Sequence, residues 1–149
     1  TINHIIHMVN YVCGLMFSPE LDRVALIRKN RPEFQRGRLN GIGGKIEENE
    51  TPIDAMVREF WEETGCKTDH SDWVLFHKIE EYNEDEYDYG YSVCFYCCSS
   101  NKIDELQTMT DEPIEVISCG SVNEAFTMNN IKEYVPYSIG VLYNLQGAS

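Results

Sequence analysis

Residues 44–66 read GKIEENETPIDAMVREFWEETGC, and they set Gly44, Glu50, Arg58, Glu59, Glu62, Glu63 and Gly65 at fixed spacings around one helix. Thr51 is placed to cap that helix and Pro52 to occupy its first position, where a missing N–H leaves nothing unpaired. Gly65 reads as its stop. At 100° per residue, Ile53, Val57, Phe60 and Thr64 form one stripe, and Glu59, Glu62 and Glu63 fall within about a 100° arc on the other side. One face is built for a core and the other for chemistry.

Three carboxylates at i, i+3 and i+4 repel one another, each like-charged pair destabilising a helix by roughly 0.2–0.5 kcal/mol. Arg58, four residues before Glu62, can hold one of them but cannot neutralise the cluster. A hard divalent cation, which takes oxygen ligands, is the natural counter-charge. Small Ala55, one turn before Glu59 on the acidic face, is expected to leave room for an ion or a phosphate. An acidic triplet alone is an ordinary solvated helix face. The glycine run Gly41-Ile42-Gly43-Gly44-Lys45 makes it a site, because it reads as a short loop whose backbone can approach an ion or phosphate closely.

The spacing fits G-x5-E-x7-R-E-U-x-E-E-x-G-U, where U is apolar, so the chain resembles the Nudix hydrolases. Seven fixed residues would coincide by chance about once in 10^8 starting points. Phe60 and Cys66 stand where the family usually has a branched aliphatic side chain, a departure confined to packing. The resemblance implies an α/β domain with the Nudix fold, a mixed β-sheet sandwiched between α-helices. It also implies Mg²⁺, or Mn²⁺, bound by Glu59, Glu62 and Glu63 with the carbonyl of Gly43 or Gly44. Arg58 would orient a carboxylate, Glu50 would hold the loop or an outer water, and Lys45 would meet a phosphate oxygen. Glu59 is the leading general base, and relatives often supply one more glutamate from the segment matching DEPIEVIS, which points to Glu112 or Glu115.

Composition bounds the rest. A chain of 149 residues is expected to form one domain, residues 1–149. Acids outnumber bases 25 to 12, a net charge of −13 that argues against a nucleic-acid polymer as partner. A phosphate-bearing substrate must then be small and escorted by metal. No apolar run approaches the ~20 residues that span a bilayer, and TINHIIHMVN lacks the features of a signal peptide, so a cytoplasmic protein is expected. Oligomeric state is not legible. Cys94, Cys97 and Cys98 lie in the apolar run YSVCFYCC, where cysteine behaves as a small hydrophobe and Cys94 and Cys97 would face opposite sides of a strand. His4 and His7 read as part of a terminal strand.

Along the chain, Tyr11–Phe17 and Arg23–Arg28 read as strands joined by the turn SPELD. Asn30–Arg38 reads as a polar loop. Trp73–Tyr82 and Tyr89–Cys98 read as strands around the acidic loop NEDEYD, and Glu115–Cys119 as another strand. Lys132–Leu145 reads as a closing helix with Pro136 in its first turns and Gly140 beyond.

Substrate choice lies outside the box. RLNGIGGKIE resembles the MutT-like branch, which cleaves 8-oxo-dGTP to the monophosphate and pyrophosphate and in which the asparagine before the glycine loop can face the nucleotide; here it is Asn40. FTMNN resembles the segment that sets an asparagine against the oxidised base, here Asn130. An amide suits that task because it donates and accepts at once; both residues also suit turns. Tyr82 lies where the diadenosine-polyphosphate branch has a tyrosine, which keeps that substrate as an alternative. The absence of proline between Pro52 and Pro113 weighs against an ADP-ribose enzyme. A non-catalytic nucleotide-sensing module and a purely structural cation site are the readings from other classes.

Overall fold

The computed structural model describes residues 7–83 and 89–147. They form a seven-stranded mixed sheet with one long helix on each face. The strands are β1 His7–Phe17, β2 Arg23–Arg28, β3 Leu39–Asn40, β4 Ile42–Lys45, β5 Val74–Asn83, β6 Tyr89–Ser99 and β7 Ile114–Ser118, and the helices are α1 Pro52–Thr64 and α2 Ile131–Gly147.

β1 is the axis. It runs parallel to β6 from His7 opposite Tyr89 to Phe17 opposite Ser99. On its other side the first half pairs with β4, Tyr11 to Gly14 against Lys45 to Ile42, and the end pairs with β2. The expected SPELD hairpin is present, closed by the Leu21 N–H on the Ser18 carbonyl at 2.9 Å, with Leu21 at φ 61°. β5 and β6 pair antiparallel; the acidic loop between them and His4 lie outside the described residues.

The sheet buries apolar side chains on both faces. Val12, Met16, Cys94 and Cys98 pack with Met56 and Phe60 of α1. Leu15, Phe17 and Cys97 pack with Ile131, Val135 and Leu142 of α2. Cys94 and Cys97 therefore do take opposite faces.

Several expectations need correction. β1 begins four residues before Tyr11, because parallel pairing with β6 carries half-exposed residues that show no apolar alternation. The final strand is Ile114–Ser118, one residue earlier than expected. α2 starts at Ile131 and accommodates Pro136, whose missing N–H falls in the second turn. Ala55 does not leave room for an ion: it is fully buried in the α1 cluster, because the acidic face turns toward the sheet rather than toward solvent.

The main correction is Gly41–Lys45, expected as a loop and found largely as strand β4. Glycine disfavours strands on propensity, yet here nothing larger fits. A Cβ on Gly43 would fall on the Val12 carbonyl, and one on Gly44 would stand 2.6 Å from the Glu59 carboxyl carbon. Gly43→Ala should therefore lower stability by about 2–4 kcal/mol, since backbone must move to admit the methyl. Gly140→Ala, exposed in mid-helix with nothing within 4 Å of its would-be Cβ, should instead raise stability by about 0.5–1 kcal/mol. Thermal melts of the two variants check the contrast; equal effects would contradict this account of the glycine strand.

Candidate active site

α1 begins as its sequence demands. The Thr51 hydroxyl accepts from the Asp54 N–H, the Asp54 carboxylate accepts from the Thr51 N–H, and Gly65 closes the helix at φ 72°. This fixes the rotation that points Glu59 and Glu63 at β4.

Arg58 ties the box together. Its Nε and Nη2 donate to both oxygens of Glu50 at 2.7 and 2.9 Å, its Nη1 to Glu59 at 2.9 Å and Glu62 at 3.2 Å, and Nη2 also to the Lys45 carbonyl at 2.9 Å. Glu50 is thereby absorbed in clamping the loop, and the guanidinium holds its carboxyl below the usual range. Glu59 sits deeper, its side chain 15% exposed, and burial raises its pKa despite Arg58. Glu63 lies beyond the reach of Arg58. One of its carboxylate oxygens is buried without a hydrogen-bond partner. Burial, then the charge of Glu59, pushes its pKa up to about 8.

A buried orphan carboxylate oxygen beside a second, half-buried carboxylate, against a glycine backbone that admits no Cβ, is a donor set of hard oxygens. It fits a divalent cation. Among the described residues no three Asp, Glu, His or Cys side chains already converge on a common point, since Glu62 turns to Arg58.

The other expected residues divide. Glu112 is close enough for its charge to raise the Glu63 pKa. Its own carboxylate, which burial would raise, is kept low by the Asn30 N–H at 2.6 Å and Lys29 Nζ at 3.0 Å. Glu115 is not brought to the cluster: Arg28 grips both its oxygens. Lys45 is exposed on β4 opposite Tyr11. Asn40 and Asn130 both line a cavity of about 550 Å³ that also touches Gly43 and Gly44. Tyr82 does not line it; by strand alternation it faces away from Ile79, which does.

Sequence reasoning passed over Lys29, Phe34, Gln35 and Tyr11, all of which line the cavity. Lys29 alone carried a usable signal, as a cation at the end of an apolar strand.

The NUDIX domain family profile matches residues 9–137. The chain belongs to the NUDIX family. This NUDIX domain is 44% identical over 59 residues to the mouse oxidized purine nucleoside triphosphate hydrolase, covering 40% of the chain and 36% of the relative. It is 38% identical over 61 residues to the 8-oxo-dGTP diphosphatase of Escherichia coli K12, covering 41% of the chain and 46% of the relative. The chain thus matches less than half the length of either. In fold it superposes on the MutT NUDIX hydrolase of Burkholderia pseudomallei with a TM-score of 0.68 at 15% identity, over 87% of this chain and 97% of that one.

The orphaned Glu63 oxygen has a measurable consequence for the metal-free protein. The folded state holds the Glu63 proton up to about pH 8, whereas the unfolded chain releases it near the ordinary value of 4.5. Its contribution to stability is therefore complete below about 4.5 and is lost as pH rises through 8. In chelator, Glu63→Gln should raise stability at pH 8.5 by roughly 1–2 kcal/mol, or about 2–8 °C in Tm, and by less at pH 6. Melting curves with EDTA check it; a destabilised variant at pH 8.5 would mean that the Glu63 oxygen not bonded to the Gly43 backbone also has a partner.

Proposed function

We propose that this NUDIX domain is a divalent-metal-dependent pyrophosphohydrolase that cleaves a nucleoside triphosphate to the monophosphate and pyrophosphate, with an oxidised purine deoxynucleotide such as 8-oxo-dGTP as the favoured substrate. The observation that carries the proposal is the unpartnered Glu63 oxygen beside Glu59 where the glycine strand meets a nucleoside-sized cavity. Both curated relatives are named for hydrolysis of oxidised nucleotides, and their matched stretches contain about 60 residues each.

Mg²⁺, or Mn²⁺, held by Glu59, Glu63 and a Gly43 or Gly44 carbonyl with Glu62 and Glu112 alongside, would acidify a bound water and neutralise the phosphates. Glu59, raised by burial, is suited to take the proton from the attacking water. Arg58 keeps Glu59 and Glu62 pointed at the phosphate chain. Lys45, exposed at the rim, and Lys29, at the junction of cavity and carboxylates, are the cations for phosphate oxygens. Asn40 and Asn130 supply amides for the base. Tyr82, on the opposite face of β5, speaks against the diadenosine-polyphosphate alternative. The substrate is a free nucleotide in the cytoplasm rather than a polymer, in keeping with the net charge of −13. Among the described residues no helix is long and apolar enough to cross a membrane.

Product analysis with 8-oxo-dGTP, the ordinary nucleoside triphosphates, diadenosine polyphosphates and ADP-ribose, each with Mg²⁺ and with Mn²⁺, tests the proposal. Monophosphate plus pyrophosphate, with the highest kcat/KM for the oxidised nucleotide, is expected. Glu59→Gln should reduce kcat by about 10²–10⁴-fold while leaving the fold intact. Silence across the panel, or near-normal turnover by Glu59→Gln, would overturn it and favour a sensing module.

A further inference from the structure

Asn40 is the one amide in the cavity whose polarity the structure fixes. The backbone N–H of Gly41 can only donate, and it lies 2.8 Å from one terminal atom of the Asn40 side chain. That atom must be the oxygen. The buried Cys13 thiol approaches the same oxygen at 3.9 Å, so both acceptor positions of Oδ1 are turned into the protein.

The nitrogen is held as well. Asn40 Nδ2 donates to Gln35 Oε1 at 3.2 Å, which sets the plane of the amide and occupies one of its two hydrogens. The hydrogen that remains is all that Asn40 can offer a ligand. Gln35, its oxygen engaged by Asn40, also lines the cavity. The Asn130 backbone carbonyl accepts from the N–H groups of Glu133 and Tyr134 at 3.1 and 2.9 Å, while its side-chain amide makes no hydrogen bond among the described residues and can present either edge. What Asn40 has left for a ligand is therefore a donor.

We propose that Gln35 is a positioning residue which locks Asn40 with a donor toward the ligand, so that the cavity selects bases presenting carbonyl oxygens there over bases presenting an exocyclic amine. The favoured class is guanine-, hypoxanthine-, uracil- or thymine-like, oxidised forms included. The disfavoured class is adenine- or cytosine-like, because an amine facing the Asn40 donor leaves both groups unpaired. The inference rests on the reading of the cavity as a nucleotide site, and it narrows "oxidised purine" to the oxidised guanine type.

The test is kcat/KM for 8-oxo-dGTP, 8-oxo-dATP, dGTP and dATP, measured on the wild type, Gln35→Met and Gln35→Glu. Wild type should favour each carbonyl-bearing base over its amine counterpart by about tenfold or more. Gln35→Met keeps the side-chain length but removes the acceptor, and it should reduce that ratio by about 3–10-fold, chiefly through KM. Gln35→Glu keeps an acceptor oxygen and should preserve the ratio. Turnover without the preference, an unchanged ratio in Gln35→Met, or equal loss in both variants would overturn this inference alone. Silence toward every nucleoside triphosphate would instead overturn the proposed function, and this inference with it.

Discussion

The geometry of the site depends on one half-buried guanidinium. Arg58 meets Glu50, Glu59 and Glu62 and the Lys45 carbonyl at once, which spans the end of β4, the loop after it and two turns of α1. Hydrogen bonds between ions are about twice as strong as neutral ones, and a planar fork reads several acceptors in a fixed geometry. Lysine could not make these contacts together. Arg58 also defines what it leaves out. Glu63, one residue past Glu62, faces the sheet with one oxygen unpartnered, so the helix is folded around an unmet demand for positive charge.

The glycine strand turns that demand into a site. β4 lies against β1 on one side and against the Glu59 carboxylate on another, and its Gly43 and Gly44 also border the cavity. A strand with side chains there would separate the carboxylates from the cavity by several ångströms. Glycine reduces the partition to a backbone, so a phosphate chain entering from the cavity can reach the box without a long path. The conformational entropy that glycine loses in a strand is offset by pairing with β1, which is held in register by β6 along its whole length.

The sequence made the box legible because its information is local: a cap at Thr51, a stop at Gly65 and helical spacing between them suffice to place Arg58, Glu59, Glu62 and Glu63 on one face. β4 was not legible, since the propensity of glycine argues for a loop and only the approach of Val12 and Glu59 explains a strand. Glu112 and Glu115 looked alike in DEPIEVIS. They separate by three residues, enough to put one within the field of Glu63 and the other in the grip of Arg28. Tyr82 failed by parity, since its place on β5 puts it on the face opposite Ile79. The cavity itself is assembled from β1, β4, β5, β6, the 29–38 excursion and the start of α2, and no local pattern announces contacts among segments so far apart in the chain.

Those contacts also explain how an acidic protein receives an anion. Arg28, Lys29 and Arg31, at the root of the 29–38 excursion, pair in turn with Glu115, Glu112 and Asp111. The three pairs fasten the root of the excursion to β7 and the segment before it and neutralise the cations there. What the excursion then turns to the cavity is largely neutral: an exposed phenyl ring at Phe34, the amide of Gln35 and, through it, the amide of Asn40. Neutral donors can discriminate between base edges but cannot hold a triphosphate against the field of the box glutamates. In the proposed reaction the attraction of the phosphates would fall to a cation held at Glu59 and Glu63 with Lys45 and Lys29 beside it, and selection of the base to the Asn40 amide, a division that lets either end change without disturbing the other.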